Sequence, residues 1–302
     1  MAATFYPMLV RFAEEQGQLA VLAYDFAMSD AARDRDRALN ARGEELAALL
    51  HHSSAEVLLA LLDNPALEET QVCLLLNRKD LPGDFLEEVA RRKTLLKDYR
   101  VKRSLAFHPR APRLVSMRLL KDLYLMDLVQ VALLPGVSPE LKRNAEDQLL
   151  GRLPQIPLGQ KITLARRGPA RVAGMLLAEG HARVLPVVLD NAHLTEAQVL
   201  RVLAGENLPP GVVLAIAHHY KWSNTYNVRL ALVRHQSSPL STILAYLPEL
   251  TVSDLRELTA PGIVPENLRK YLQAEVQRRM RASADAARRS ETFGSATASK
   301  KE

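Results

Sequence analysis

Residues 57–133, which begin Val57-Leu58-Leu59-Ala60 and end Val131-Ala132-Leu133, are matched by residues 184–260 at a constant offset of 127 positions. Without gaps, 22 of the 77 aligned positions are identical. The identical pairs include Leu62-Asp63-Asn64 with Leu189-Asp190-Asn191, Leu81-Pro82 with Leu208-Pro209, and Asp127-Leu128 with Asp254-Leu255. Self-similarity at a fixed offset is typical of repeat architectures. The chain is therefore expected to build one arrangement of elements twice.

Short apolar runs separated by regular breaks fill both copies. Asn64-Pro65 ends one run, because proline pushes the residue before it out of the α region. Leu81-Pro82 and Ser138-Pro139-Glu140 open others, since proline is tolerated in the first turn of a helix. Most predicted helices are near or below the ~12 residues at which an isolated helix is marginal in water. They can be stable only by packing on neighbours, which favours an all-α fold, an internally duplicated α-solenoid of short helical repeats.

The duplication and the breaks also divide the chain. Residues 4–27 have the spacing of an amphipathic helix that could cover the open end of a helical stack. Residues 154–183 keep apolar helical spacing, so one continuous array is preferred to two separate helical domains. The predicted segments are an N-terminal helix or cap with a charged linker (1–43), a first repeat block (44–153), a connecting helical region (154–183), a second block (184–281) and a disordered tail (282–302).

One motif in each copy carries a family resemblance. Val101-Lys-Arg-Ser-Leu105 precedes His108-Pro109-Arg-Ala-Pro112, and Val228-Arg-Leu-Ala-Leu232 precedes His235-Gln-Ser-Ser-Pro239. This resembles the core of HEAT-like repeats, and more closely the bacterial leucine-rich variant repeat. The resemblance covers residues 44–280 and implies a surface that binds other macromolecules. Some leucine-rich variant proteins hold an iron–sulfur cluster on cysteines, but this chain has one cysteine, Cys73.

Composition limits the class of protein. The 302 residues are 48% hydrophobic and 25% charged, the balance of a globular protein, and aromatic residues are only 5%. Cys73 lies in an apolar run and is expected to be a small buried hydrophobe. The sequence shows neither a secretory signal nor an apolar run long enough to span a bilayer. A cytoplasmic protein with no membrane span is expected.

Positive charge is concentrated in the middle of the chain. Residues 91–183 carry 19 Lys and Arg against 7 Asp and Glu, although the whole chain has a net charge of +6. The densest part, named here the basic segment, consists of Arg91, Arg92, Lys93, Lys97, Arg100, Lys102, Arg103, Arg110, Arg113, Arg118 and Lys121. Stacked repeats could align these residues into a stripe that holds phosphates, an acidic protein surface or anionic lipid. Alternatively, they only keep the outer helices soluble.

Other polar residues have structural interpretations that compete with functional ones. His218-His219-Tyr220-Lys221-Trp222 could present Trp222 as an aromatic anchor, or could form a corner in which Trp222 is buried. The adjacent histidine pairs point in different directions on a helix and are unsuited to one metal ion. Four recurring pairs of residues are expected to serve turns and helix ends. These are Asp63 with Asp190, Asn64 with Asn191, His108 with His235, and Asp127 with Asp254.

Three functions remain open. The preferred one is a non-enzymatic scaffold for protein–protein contacts, whose basic middle section meets an acidic or phosphorylated partner. The second is nucleic-acid binding, since a HEAT-like family of DNA glycosylases grips a duplex with a similar architecture. The third, an enzyme, is the weakest, because the sequence has no Gly-rich phosphate loop, nucleophile elbow or metal-ligand spacing. No cofactor or metal is expected.

Overall fold

The protein is described here from a computed structural model, which covers residues 32–205, 207–264 and 266–298; for residues 267 and 286–298 it describes the backbone alone. The helix expected at residues 4–27 lies outside these residues. The described part of the chain is all-helical, with no strand. It also contains no helix of the length and apolarity that crossing a bilayer requires.

The chain divides into two compact units, Met1–Gln148 (unit 1) and Leu149–Glu302 (unit 2). The helices of unit 1, the last of which continues past its boundary, are α1 (residues 32–40), α2 (Gly43–Leu49), α3 (Ala55–Leu62), α4 (Glu69–Leu76), α5 (Gly83–Arg91), α6 (Tyr99–Phe107), α7 (Arg113–Leu119), α8 (Leu125–Leu133) and α9 (Pro139–Arg152). Short 3-10 helices lie at Leu95–Lys97 and Leu120–Asp122. Within unit 1, α4 packs on α6, α6 on α7 and α3 on α5.

Unit 2 continues with short helices and ends with a long one. They are α10 (Leu158–Arg167), α11 (Ala170–Glu179), α12 (Leu185–Leu189), α13 (Glu196–Leu203), α14 (Pro210–His218), α15 (Tyr226–Arg234), α16 (Leu240–Tyr246), α17 (Val252–Leu258) and α18 (Glu266–Ala298). Further 3-10 helices lie at Leu153–Gln155 and Leu247–Glu249. Here α11 packs on α13, and α13 packs on α15. Because these helices are short, the leucine and valine side chains buried between them supply most of their stability.

The same side-chain hydrogen bonds occur in both units, 127 positions apart. Asn64 is 4% exposed, and its amide donates to the carbonyls of Ala38 at 2.8 Å and Ala41 at 2.9 Å. Asn191 is 1% exposed and donates to the counterpart carbonyls, of Ala165 at 2.8 Å and Gly168 at 3.1 Å. These bonds link α3 and α12 to the helix ends of α1 and α10. The expected turn role of both asparagines is confirmed, since each side-chain oxygen also accepts a backbone N–H two residues on.

Two tyrosines also recur with their partners. Tyr99 donates its hydroxyl to Asp127 and accepts from the backbone N–H of Tyr124 at 2.8 Å. Tyr226 donates to Asp254 and accepts from the N–H of Thr251 at 3.1 Å. The prediction that Asp127 and Asp254 cap helices is wrong, because both lie within the first turn and their carboxylates bind tyrosine hydroxyls. Thr251 is the residue that caps α17.

The last helix differs from the sequence expectation. Disorder is expected from residue 282, whereas α18 runs for 33 residues to Ala298. The segment contains no proline after Pro265 and is rich in alanine and arginine, which have high helix propensity. Disorder was expected because residues 282–302 are small and polar. A segment of this composition can also form a helix that is exposed to solvent.

Candidate functional site

The basic segment is distributed over several elements of unit 1. Arg91 ends α5, Arg100 and Arg103 lie three residues apart on α6, and Arg118 lies in α7. Lys97 and Lys121 belong to the two 3-10 helices. Residues at i and i+3 share one face of a helix, but the guanidinium of Arg100 pairs with Asp98 whereas that of Arg103 pairs with Asp127 of α8. Lys102 also lies on α6, Arg113 begins α7, and Arg92, Lys93 and Arg110 lie between helices.

Six of the cations in the basic segment form ion pairs inside unit 1. Five of these cations pair as follows: Arg91 with Glu87, Arg92 with Asp63, Arg100 with Asp98, Lys102 with Asp122, and Arg103 with Asp127. Arg91 and Arg92 also contact Glu88. Arg113 is paired with Glu140. Within the described residues, Lys93, Lys97, Arg110 and Arg118 have no carboxylate in ion-pair range, and the guanidinium of Arg110 donates to the backbone carbonyl of Asp80. Exposed ion pairs are worth little stability, but each places a negative charge beside the positive one and weakens the field felt by a partner.

A crevice of about 280 Å³ in unit 1 brings three cations together. Arg78, Lys79 and Arg103 line it, and the guanidinium of Arg103 lies 5.1 Å from the centre of the Phe107 ring. Arg103 belongs to the basic segment, whereas Arg78 and Lys79 precede it in the sequence and were not predicted as site residues. An acidic side chain in this crevice would meet the charge of Lys79 and two guanidinium groups whose charges Asp80 and Asp127 partly neutralise.

The side chain of Arg78 lies in the crevice because it binds backbone carbonyls at the end of α2. Its guanidinium donates to the carbonyls of Leu50 at 2.7 Å and His52 at 2.9 Å, just after α2, and pairs with Asp80 at 2.7 Å. The hydrogen bonds from Arg78 hold the pKa of Asp80 at about 2. Arg78 thus satisfies carbonyls that a helix end leaves without partners.

The crevice wall is fixed by His108. Its Nδ1 accepts the N–H of Arg110 at 3.1 Å, so the neutral ring carries its proton on Nε2. That nitrogen lies 2.6 Å from the carbonyl oxygen of Arg78 and donates to it. The expected role at a helix end is confirmed for His108; for the ring of its counterpart His235, the described residues show only the hydrogen bond from the N–H of Ser237.

Unit 2 has the counterpart of this crevice, and it is larger. A groove of about 790 Å³, named here groove A, lies between α13 and α15. At the positions of Asn77 and Arg78 it has Ala204 and Gly205, and at the position of Arg103 it has Leu230. The side chains that narrow the crevice in unit 1 are therefore replaced by small or apolar ones.

A different helix end explains why the arginine is dispensable in unit 2. Helix α11, the counterpart of α2, continues to Glu179 and ends at Gly180, which has φ +73 and caps the carbonyl of Leu177 at 3.2 Å. A left-handed glycine is a common helix terminus because it satisfies these carbonyls with backbone N–H groups. With the helix end capped locally, no guanidinium is needed and Gly205 leaves groove A open.

A second groove of about 430 Å³, named here groove B, lies between α11 and α13. Gly174 permits its close packing, since a Cβ there would lie 2.9 Å from Oε1 of Gln198. Met175 is 55% exposed in this groove. Groove B and groove A share Gly205 and Asn207, so they meet at the C-terminal end of α13.

The aromatic cluster of unit 2 does not present its tryptophan. Trp222 is 2% exposed, and its indole N–H donates to the carbonyl of Leu189 at 2.9 Å. In unit 1 the counterpart carbonyl, of Leu62, is bound by Arg92. The anchoring role for Trp222 therefore fails because the ring is inside the protein, and the buried corner describes it correctly.

The remaining candidates are histidine, cysteine and carboxylate side chains. No group of three or more His, Cys, Asp or Glu within the described part of the chain could hold a metal ion. Cys73 is only partly buried, and desolvation raises the pKa of its thiol. His219 binds Asp190 through Nε2 at 3.1 Å, while its Nδ1 is buried without a partner and cannot reach a substrate.

Comparison with protein-family models, with curated proteins and with solved structures gives no match that would show a family.

Proposed function

We propose that the chain is a non-enzymatic scaffold, an α-solenoid of HEAT-like repeats, that binds an acidic or phosphorylated protein through the crevice of unit 1. The observation that carries this proposal is that Lys79 lines the crevice together with Arg78, Arg103 and Phe107, although Asp80 and Asp127 pair with the two arginines. Lys79 has no ion-pair partner within the described residues, so its charge is available to a ligand. The recurrence of hydrogen bonds at a spacing of 127 residues supports the repeat interpretation.

Affinity capture with neutralising variants tests the proposal. Lys79→Gln with Arg103→Gln removes two charges from the crevice and leaves Arg78 in its structural position. Lys93→Gln with Lys97→Gln removes the same charge elsewhere in unit 1. We expect a protein partner to be recovered at physiological salt by the wild type and by the second variant, but not by the first. Equal recovery of the same partners by both variants contradicts the proposal.

Nucleic-acid binding is the second candidate, and one observation favours it. Tyr124 is 64% exposed and stacks on Tyr99, with ring centres 3.9 Å apart, next to the basic segment. An exposed aromatic ring beside cations is a platform on which a base can stack, worth ~1–3 kcal/mol per base. Tyr124→Ala should then weaken binding of a single-stranded oligonucleotide by about tenfold or more. No binding at low salt excludes this candidate.

A further inference from the structure

The last helix, α18, changes from packed to solvated close to Met280. Before this residue, Leu268, Leu272 and Val276 are buried in one apolar cluster with leucines of α17. After it, residues 281–285 are all exposed. Met280 therefore lies at the point where α18 leaves the packed part of unit 2, and a chemical change there acts on the contact between the two helices.

The thioether of Met280 accepts a hydrogen bond from an arginine of α17. Nη2 of Arg256 lies 2.9 Å from Sδ of Met280, and the methionine is 46% exposed. Within the described residues, Arg256 has no carboxylate in ion-pair range. A thioether sulfur is a weak acceptor, so it satisfies a guanidinium less well than an oxygen atom would. Arg256 therefore keeps hydrogen-bonding capacity beside this sulfur.

The duplicated architecture does not explain this contact. In the first copy, Val129 stands at the position of Arg256, 127 residues earlier, and it is buried. The fold of one copy therefore does not require an arginine at this position. Met280 itself lies beyond residues 184–260, which the duplication covers. The contact between Arg256 and Met280 is an addition that belongs to unit 2.

Unit 2 also contains a methionine that serves as an internal reference. Met175 of α11 is 55% exposed, compared with 46% for Met280. Its sulfur takes part in no hydrogen bond within the described residues. If exposure alone decided how fast a thioether is oxidised, Met175 would react first. The two methionines differ in the hydrogen bond from a guanidinium, which Met280 receives.

We propose that Met280 is a redox modification site, at which hydrogen peroxide oxidises the thioether to the sulfoxide and Arg256 assists the reaction and binds the product. A lone pair of Sδ attacks one peroxide oxygen, an S–O bond forms and the O–O bond breaks. The proton of the attacked oxygen passes to the departing oxygen, which leaves as water. Sulfur loses two electrons and the peroxide gains them. The guanidinium stabilises the negative charge that develops on the departing oxygen.

The product strengthens the contact between α17 and α18. A sulfoxide oxygen accepts a hydrogen bond from the charged guanidinium more strongly than a thioether sulfur does. Oxidation disrupts a protein core because it makes a buried methionine polar, but Met280 is half-exposed and its oxygen has a donor in place. Since methionine sulfoxide can be reduced again, the change is reversible. This site is independent of the crevice proposed as a binding site in unit 1.

Peptide mapping by mass spectrometry of the full-length protein in dilute hydrogen peroxide tests the oxidation step. We expect Met280 to be oxidised faster than Met175, although it is less exposed. Arg256→Gln should slow the oxidation of Met280 by about two- to fivefold and leave that of Met175 unchanged. Lys270→Gln, the matched control, removes the same charge from an exposed position of α18 and should leave both rates unchanged. Equal rates at the two methionines in the wild type, or an unchanged rate at Met280 in Arg256→Gln, overturn the proposal.

Hydrogen–deuterium exchange tests the effect of the sulfoxide on the helices. We expect peroxide treatment to slow exchange of the backbone amides of α18 around Met280 in the wild type. Met175→Leu should respond as the wild type does, whereas Met280→Leu, which cannot form a sulfoxide, should not respond. Unchanged or faster exchange of these amides after oxidation overturns the proposal, and so does an equal response of Met280→Leu.

Discussion

At the scale of single residues, Asn64 and Asn191 explain why Asp-Asn recurs 127 positions apart. Each amide donates two hydrogen bonds to carbonyls near the end of an earlier helix and accepts one from its own turn. Asparagine is suited to this site because its side chain has both donors and an acceptor. The sequence predicted the turn, but not the partners, since Ala38 and Ala165 lie 26 residues away and have no distinctive side chain.

We predict that Asn64→Ala and Asn191→Ala each destabilise the protein by about 1–3 kcal/mol, because two buried carbonyls lose their donors. Asn64→Asp is the sharper variant, since aspartate keeps the acceptor and the shape but has no N–H to donate. It should cost at least as much as alanine, because it also buries a charge. Urea unfolding followed by circular dichroism measures the loss. A stability equal to that of the wild type in Asn64→Asp would show that the donors do not matter.

Tyr99 gives a residue-scale prediction for alkaline pH. Burial, and then the hydrogen bond to Asp127, raise the pKa of its hydroxyl to about 12. The unfolded chain releases this proton at about pH 10, whereas the folded protein retains it. The group therefore stabilises the fold fully below about pH 10, and the contribution is lost as the pH rises to about 12.

The comparison with Tyr99→Phe isolates this effect from the titration of the other tyrosines and of lysine. We expect the urea midpoint of the wild type to fall more steeply between pH 10 and 12 than that of Tyr99→Phe. Parallel curves for the two proteins would contradict the raised pKa of Tyr99.

At the scale of helices, the two units end equivalent helices by different means. In unit 1, α2 depends on the guanidinium of Arg78, which arrives from 28 residues away. In unit 2, α11 ends on its own Gly180. The way the helix end is capped decides whether a long side chain is needed at position 78 in unit 1, or at its counterpart 205 in unit 2. That side chain in turn decides how much space is left beside it.

Gly180→Ala should destabilise the protein by about 1–2 kcal/mol, because an L-residue is strained at φ +73 and its Cβ would lie 2.9 Å from Cγ2 of Val212. Gly159→Ala is the matched control, since Gly159 lies in α10 with no atom within 4 Å of the added Cβ. That variant should stabilise the helix by about 0.5–1 kcal/mol. Thermal unfolding shows whether each variant is more or less stable than the wild type. A lower unfolding temperature for Gly159→Ala would contradict the expectation that α10 gains stability from alanine.

Helix existence was predictable, but helix ends and lengths were less so. Proline at residues 82, 139, 209 and 239 precedes or begins a helix as the sequence indicates. Thr195-Glu-Ala-Gln198 has the sequence of a capping box, but only half of the box forms. Thr195 accepts the N–H of Gln198, whereas the Gln198 amide oxygen accepts a hydrogen bond from Arg201. In unit 1 the equivalent Gln71 does bind the N–H of Glu68, at 2.9 Å. Neighbouring side chains such as Arg201 decide which hydrogen bond the glutamine makes, and the four-residue motif does not include those neighbours.

At the scale of the whole molecule, a count along the sequence overstated the basic segment. Within residues 91–121 Asp98 is the only acidic residue, yet Arg92, Arg103 and Arg113 are paired with Asp63, Asp127 and Glu140, which lie outside that window. The grooves of unit 2 were missed for a related reason. Their signal is a difference between the two copies, Asn77-Arg78 in one and Ala204-Gly205 in the other, whereas the predicted repeat rests on residues that the copies share.

Internal pairing leads to a quantitative prediction for the binding of duplex DNA. The logarithm of the affinity falls with the logarithm of the salt concentration with a slope of about −0.9 for each phosphate that a cation neutralises. If all eleven cations of the basic segment met phosphates, the slope would be about −10. If only Lys93, Lys97, Arg110 and Arg118 do so, because the carboxylates beside the paired cations repel phosphate, a slope nearer about −4 is expected. A fluorescence titration over a range of salt concentrations distinguishes the two. A slope near about −10 would mean that the ion pairs open to release their cations, and would favour nucleic acid over an acidic protein as the partner of unit 1.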